Sequence, residues 1–391
     1  MKFKTPFSGR SHTYTKCEVH YVVDVMQSAT PLTQGRYQKK FEQKFCEYSG
    51  VRHSFALNNA TAGLELSAQL CQFTEGDEVI IPGHTFTASA YPFLKKGAKI
   101  VWADIDIETR VVTVETIEKC ITDKTKAIVV VHLYGYGADM SAIMQLAQEK
   151  GLIVVEDAAQ ALGVEVDGKM VGTFGDFGVF SFHSHKNMTT LGEGGMLTVK
   201  NDHIAEILPM LRHNGHCGFD YDRELYWKPA MGNVDMPELN GEILWPNNYC
   251  LGEVECALGT KLLDRIDQIN EQKRHRAIIF IDAMSDYPEL EFHREKSKRH
   301  NYHLLVARVT NGKRDLLMQE MAKAGVQCVV QYYPLYRYDL YKKIGQDLAD
   351  CPNTDQFFDN MISFPFHHML KDDDFIWMIE TTKKSLSKII G

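Results

Sequence analysis

Lys186 stands in a polar stretch, Ser181-Phe182-His183-Ser184-His185-Lys186-Asn187-Met188-Thr189-Thr190-Leu191-Gly192-Glu193-Gly194-Gly195, that follows the apolar run Phe177 to Phe182. Such a run reads as a buried strand delivering a lysine into a loop. A strand end is a rigid place to hold a reactive amine, and the glycines let backbone come close to a ligand or turn at positive φ. An amine held there can form a Schiff base with a carbonyl compound. A lysine beside a glycine pair is also a common solvated loop charge, and this stretch alone leaves both readings open.

A second stretch, Val154-Val155-Glu156-Asp157-Ala158-Ala159-Gln160-Ala161-Leu162-Gly163, ends the apolar run Leu152 to Val155 in an acidic pair and gives way to small residues. A carboxylate at the end of a buried parallel strand points into the crevice where α/β folds bind ligands. A lysine to form a Schiff base and an aspartate to keep a pyridine nitrogen protonated are the two protein groups that pyridoxal phosphate (PLP) chemistry needs. Asp157 is equally readable as an N-cap of the helix that follows.

The elements that would position these groups are legible as alternating patterns. Seven short apolar runs, His53-Leu57, Glu78-Ile81, Lys99-Trp102, Ala127-His132, Leu152-Val155, Phe177-Phe182 and Gly195-Val199, read as strands. Several are separated by helical patterns, such as Asp139 to Lys150 with Ile143, Leu146 and Ala147 on one face and Gly151 as its stop. Strands alternating with helices argue for a largely parallel sheet covered by helices. Residues 15–28 and 36–48 carry further helical patterns on either side of a turn, Pro31-Leu32-Thr33-Gln34-Gly35-Arg36. From His213 to Asn248 the pattern is irregular, with aromatics from Phe219 to Trp227 and turn residues such as Pro229 and Met231-Gly232, a length that is usually functional or flexible. A helical region from Leu251 to about Ser285 then leads to strands near Asn301 to Val309 and Gln327 to Gln331, a helix at Arg314 to Ala324 and a closing helix from Asp372 to Ile389. At 391 residues the chain exceeds what one hydrophobic core supports. Two domains are expected, a large one over 1–250 and a small α+β one over 251–391.

Composition narrows the function classes. A net charge of −8 gives no electrostatic footprint for nucleic acid. There is no apolar run of about 18 residues and no signal-like N-terminus, so a cytoplasmic protein with no membrane partner is expected. Nine cysteines without a CxxC pair suit reduced, mostly buried thiols, and the sixteen histidines lack the clusters a metal would need, so no metal is expected.

Taken together, Asn59-Ala60-Thr61-Ala62-Gly63-Leu64, Gly83-His84-Thr85-Phe86, Glu156 to Gln160, Ser181-Phe182-His183 with Lys186, Gly192 to Gly195, and Asn248-Tyr249 with Ala257-Leu258-Gly259 resemble the ordered motifs of the DegT/DnrJ/StrS family. The match runs from about Thr33 to the C-terminal helix. Members are PLP-dependent aminotransferases, most of them acting on nucleotide-linked keto-sugars. The resemblance implies the aspartate-aminotransferase fold (PLP fold type I), a three-layer α/β/α domain with a seven-stranded mixed sheet plus a smaller C-terminal α+β domain. It also implies a homodimer with shared active sites, an amino-acid donor such as L-glutamate and a keto-sugar acceptor.

By the same resemblance Lys186 carries the cofactor at rest and then serves as acid/base, and Asp157 meets the pyridine nitrogen. Ala60, Thr61 and Ser181 meet the phosphate, Phe86 stacks on the ring, and Gln160 lies near the ring hydroxyl. The family has Gly where Ala60 stands, which a backbone contact tolerates if φ is negative. Asn248 matches an asparagine that crosses to the neighbouring subunit's phosphate. Arg36, His183, Tyr332 and Tyr336 are substrate candidates, and Gln331 and Tyr336 replace histidines of the family's His-Tyr-x-Pro-x-His segment. Cys250 and Glu255 stand where the family commonly has Arg and Gln. Alternatives within the resemblance are a PLP-dependent sugar dehydratase, an aminotransferase for a smaller sugar phosphate or cyclitol ketone, and a non-catalytic regulatory homologue. The family's PLP-dependent C3-dehydratases carry a histidine where Lys186 stands.

Overall fold

The computed structural model describes residues 3–7, 10, 13–218 and 232–390. The aromatic run from Phe219 to Trp227, with Pro229 and Met231, lies outside the described residues.

Seven strands form one mixed sheet: β1 His53–Leu57, β2 Glu78–Pro82, β3 Lys99–Ala103, β4 Thr125–Val131, β5 Ile153–Asp157, β6 Phe177–Ser181 and β7 Gly195–Val199. Their order is β1-β7-β6-β5-β4-β2-β3, with β7 antiparallel to both neighbours and the pairs from β6 to β3 parallel. Strands β2 and β6 are buried at every position. That is the signature of a sheet covered by helices on both faces, and it explains why these strands read as unbroken apolar runs rather than alternating ones. The fold is the α/β architecture expected, with the seven-stranded mixed sheet at its centre.

Two details of packing place the site. The helix Ala60–Leu70 crosses the sheet so closely that a Cβ on Gly63 would lie 3.0 Å from Val179 on β6. At the other end of the strand pair, a Cβ on Gly195 would lie 2.5 Å from the carbonyl carbon of Asn59 and 2.7 Å from the nitrogen of Ala60. Both glycines are there because backbone meets its neighbour without room for a side chain. Together they hold the N-terminus of this helix over the ends of β6 and β7.

The region from Leu251 to Ser285 is helical as expected, built from two helices, Glu253–Leu262 and Ile266–Ala283. A three-stranded antiparallel sheet follows, β8 Leu290–Phe292, β9 Leu305–Val309 and β10 Met361–Phe364, backed by the helices Arg314–Lys323 and Asp372–Ile390. The strand expected over Gln327 to Gln331 is not formed. Val329 makes a single bridge to Ser363 while Gln327 donates to Thr5, so the segment runs along the sheet edge without extending it.

Two apolar cores divide the chain. Ile266 and Ile269 belong to the first, which holds the large sheet, and Ala277, Phe280 and Ile281 belong to the second. We propose that the two domains divide inside the helix Ile266–Ala283, because Leu251 to Leu262 pack on the large core.

Candidate active site

The acidic pair at the end of β5 splits between two environments because successive side chains of a strand face opposite ways. Glu156 is fully buried, and its carboxylate accepts from the backbone N–H groups of Gly172, Phe174 and Gly175, each at 2.7 Å, with the His132 ring nitrogen at 3.0 Å. This carboxylate is structural. Asp157 faces a cleft of about 660 Å³. Its Oδ2 accepts from the Ser89 hydroxyl at 2.7 Å, Ser89 Oγ lies 3.0 Å from Thr85 Oγ1, and its Oδ1 accepts from the Ala159 N–H at 3.1 Å. The backbone after β5 turns without forming a helix, so the N-cap reading of Asp157 fails: its bond to the Ala159 N–H closes a turn.

Lys186 reaches the same cleft from the loop after β6. The loop is tied back on itself, with Lys186 N–H donating to His183 O at 2.8 Å and Ser184 N–H to Gly192 O at 2.9 Å. Gly194 closes it, at φ 158° and with only 2.0 Å between Thr190 Oγ1 and the place a Cβ would take. Loss of water around the Lys186 amine lowers its pKa from 10.5 to about 8, and the Asp157 charge partly opposes that fall.

The far wall is the N-terminus of the helix Ala60–Leu70. Asn59 caps it by accepting from Ala62 N–H at 2.8 Å. The first N–H groups of a helix have no intrahelical partner, and Ala60 and Thr61 line the cleft. Ala60 is the first helical residue, so alanine fits where the family has glycine. Ser181 also lines the cleft, its hydroxyl accepting from His183 N–H at 3.3 Å.

Aromatic residues close the remaining side. Phe86 leaves 53% of its surface open and meets Tyr332 edge-on, with ring centroids 5.9 Å apart. Tyr332 stacks on Tyr134 with an interplanar angle of 7°. Gln160 Oε1 accepts from Tyr134 N–H at 2.7 Å, which turns its amide nitrogen to the Tyr332 hydroxyl at 3.2 Å. Burial, reinforced by the Asp157 charge, pushes the Tyr332 phenol well up, so it remains a neutral hydrogen-bonding group.

These residues fit PLP. A helix N-terminus with a threonine and a serine suits a phosphate. An open aromatic face suits the ring, a buried carboxylate suits a pyridinium, and a lysine of lowered basicity suits a carbonyl carbon.

The sequence profile of the DegT/DnrJ/EryC1/StrS aminotransferase family matches residues 13–382. The chain belongs to this family. It is a PLP-dependent aminotransferase. It is 32% identical over 372 residues to GDP-perosamine synthase of Escherichia coli O157:H7, covering 95% of this chain and 96% of that one. Among solved structures it resembles PseC of Helicobacter pylori, an aminotransferase involved in the biosynthesis of pseudoaminic acid, with a TM-score of 0.88 and 26% identity over 99% of this chain and 100% of that one. It is similar also to Spr1654 of Streptococcus pneumoniae in its PLP form, with a TM-score of 0.85 and 29% identity over 99% of both chains.

Three expected site residues of this aminotransferase lie elsewhere in the single chain. Tyr336 is buried against Trp102 and hydrogen-bonded to Asp355, and a Cβ on Gly83 would lie 2.7 Å from its ring. It packs the strand ends rather than lining the cleft, a correction to its reading as a substrate residue. Arg36 turns to its neighbour Tyr37, whose hydroxyl accepts from it at 2.9 Å, at a helix start where Glu253 takes the N–H groups of Gly35, Tyr37 and Gln38. It does not reach the cleft of its own chain. Asn248 is exposed, while the next residue, Tyr249, lines the cleft and accepts Asn58 N–H at 2.9 Å through its backbone oxygen.

His183 lines the cleft, its ring nitrogen 3.7 Å from Glu193. Sequence reading missed Ser89, Tyr249 and His303. Only Tyr249 stood inside a quoted motif. His303 enters from the bend that leads into β9, and nothing in its local sequence signals that.

Proposed function

We propose that the protein transfers the amino group of an amino acid, L-glutamate, to the keto group of a nucleotide-linked sugar. The observation that carries this reading is the meeting of Lys186 and Asp157 in one cleft walled by the N-terminus of the helix Ala60–Leu70. The similarity to GDP-perosamine synthase and to PseC supports a sugar acceptor, and the first of them supports a nucleotide handle. PLP, when bound, supplies an electron sink beside the amino-acid α-carbon and a carrier for the amino group.

The chain's own residues would do the rest. Ala60 and Thr61 N–H, with the Thr61 and Ser181 hydroxyls, would hold the phosphate, and Phe86 would cover the ring. Asp157, aimed by Ser89 and Ala159, would keep the proton on the pyridine nitrogen. The Gln160 amide nitrogen would face the ring hydroxyl. Lys186 Nζ, with a neutral fraction near physiological pH, would take the proton from the donor α-carbon and deliver it to the cofactor C4′. Tyr332 and His183 would meet the acceptor sugar.

The presence of Lys186 supports transfer over dehydration. We further propose that the protein is a cytoplasmic homodimer in which Asn248 reaches the partner subunit's site. Its exposure in the single chain, beside the cleft residue Tyr249, supports that geometry. The test is product analysis with glutamate and a panel of keto-sugar nucleotides. Equal amounts of 2-oxoglutarate and an amino sugar are expected. A product that has lost water and gained no nitrogen would establish the lyase instead.

A further inference from the structure

Behind the cleft lies a closed set of buried hydrogen bonds that none of the chemistry above uses. Lys273, on the helix Ile266–Ala283, is 4% exposed and donates to Asn187 Oδ1 at 2.9 Å and to His303 O at 2.8 Å. Asn187 is the residue after Lys186, and its amide nitrogen donates to Asn270 Oδ1 at 2.9 Å, one helical turn before Lys273. Asn270 donates in turn to Leu162 O at 2.8 Å. On the other arm, His303 N–H donates to Asn301 Oδ1 at 2.9 Å, and Asn301 donates to Gln160 O at 3.1 Å and to Leu162 O at 3.2 Å. Both arms thus start at Lys273 and end on the segment that follows Asp157.

A lysine amine in its charged form is only a donor, whereas an asparagine amide presents a donor and an acceptor that flip together. Lys273 therefore fixes which way Asn187 faces, Asn187 fixes Asn270, and the direction of donation runs one way to Leu162 O. Space is tight as well: a Cβ on Gly163 would lie 2.7 Å from Asn270 Nδ2. We propose that Lys273 is a positioning residue for amino transfer, which holds Lys186 in register with the segment carrying Asp157 and Gln160. It touches neither reacting group and acts through Asn187. The chain of contacts also crosses between the two cores, so the reactive lysine is registered against both domains through one helix turn. Burial lowers the Lys273 amine to about 7, and the neutral amine keeps two N–H groups, enough for both donations.

This proposal rests on the reading of Lys186 given above, and the test separates the two. Lys273→Met removes both donations at nearly constant volume, and Asn187→Ala removes the loop's end of the network, which keeps the test decisive if the first variant does not fold. In each, kcat is expected to fall by about tenfold to a hundredfold, the scale of a small misplacement of a reacting group. The donor KM should stay within about threefold. In the cofactor-free protein the pH midpoint for reductive methylation of Lys186 should rise by about half a unit or more as the loosened loop admits water. The double variant should lose no more than the worse single one. Retention of kcat within about threefold, or a loss matched by the unfolded fraction with the midpoint unmoved, would overturn the proposal. Borohydride trapping in the unmodified enzyme tests the underlying reading: a pyridoxyl group on another lysine would overturn both, and one on Lys186 beside an unchanged kcat would overturn this inference alone.

Discussion

The Ser89 hydroxyl donates to Asp157 Oδ2 across 2.7 Å, joining two residues 68 positions apart at the back of the cleft. Thr85 lies 3.0 Å from Ser89, so a short relay of hydroxyls aims the carboxylate. Ser89→Ala removes one hydrogen bond to an ionised group, a loss of about 1.5 kcal/mol, and kcat is expected to fall about tenfold. PLP should still bind, because the phosphate cradle is untouched. Steady-state rates beside a spectroscopic titration of the cofactor check both halves.

The Lys186 amine has a folded-state pKa near 8 against an ordinary 10.5. Between those values the unfolded chain binds more protons than the folded one, so stability rises with pH across that window. Lys186→Met removes the charge that the cleft disfavours. The cofactor-free variant should therefore melt higher than the unmodified protein below pH 8, and the advantage should fade as pH rises toward 10.5. Calorimetry at the two ends of the window decides it, and an advantage that grows with pH would contradict the assignment.

Tyr332 and Tyr336 are four residues apart and have opposite environments. Tyr336→Phe should cost about 1 kcal/mol of stability through its lost hydrogen bond to Asp355, and leave kcat/KM within about twofold. Tyr332→Phe should leave stability nearly unchanged and lower kcat/KM for the acceptor by about tenfold, the weight of one hydrogen bond made in the site. Melting curves and kinetics of the two variants form one comparison.

What the sequence made legible follows from the range of the contacts involved. The strands β2, β4, β5 and β6 announce themselves because burial on both faces demands unbroken apolar runs. Lys186 and Asp157 sit where such runs stop. By contrast, β8 is three residues long and includes an exposed Glu291, so no periodicity develops. The region from Leu251 to Ser285 reads as helical throughout, because the break at Leu263 to Arg265 contains neither Gly nor Pro. Ser89, His303 and the Lys273 network were not readable, since each matters only through partners dozens of residues away. Tyr336 was misplaced for a related reason. In irregular backbone a spacing of four does not fix a face, whereas Glu156 and Asp157, on a strand, are separated with certainty by the pleat.

Asn248 offers the sharpest test of assembly, because the single chain leaves it exposed at the rim beside Tyr249. In a two-fold dimer the same patch serves both subunits, so each site would combine Lys186 of one protomer with Asn248 of the other. Lys186→Ala and Asn248→Ala chains are each expected to be impaired alone. Mixed and allowed to exchange at random, half of the dimers carry one of each, and in those dimers one site draws both residues from unmodified positions. Activity should then recover to about a quarter of the unmodified level, one whole site in two for half of the dimers. If Asn248 served its own subunit, each site of the mixed dimer would contain one substitution and neither would be whole. No recovery, with mixed dimers demonstrated by native mass spectrometry, would reject the shared site.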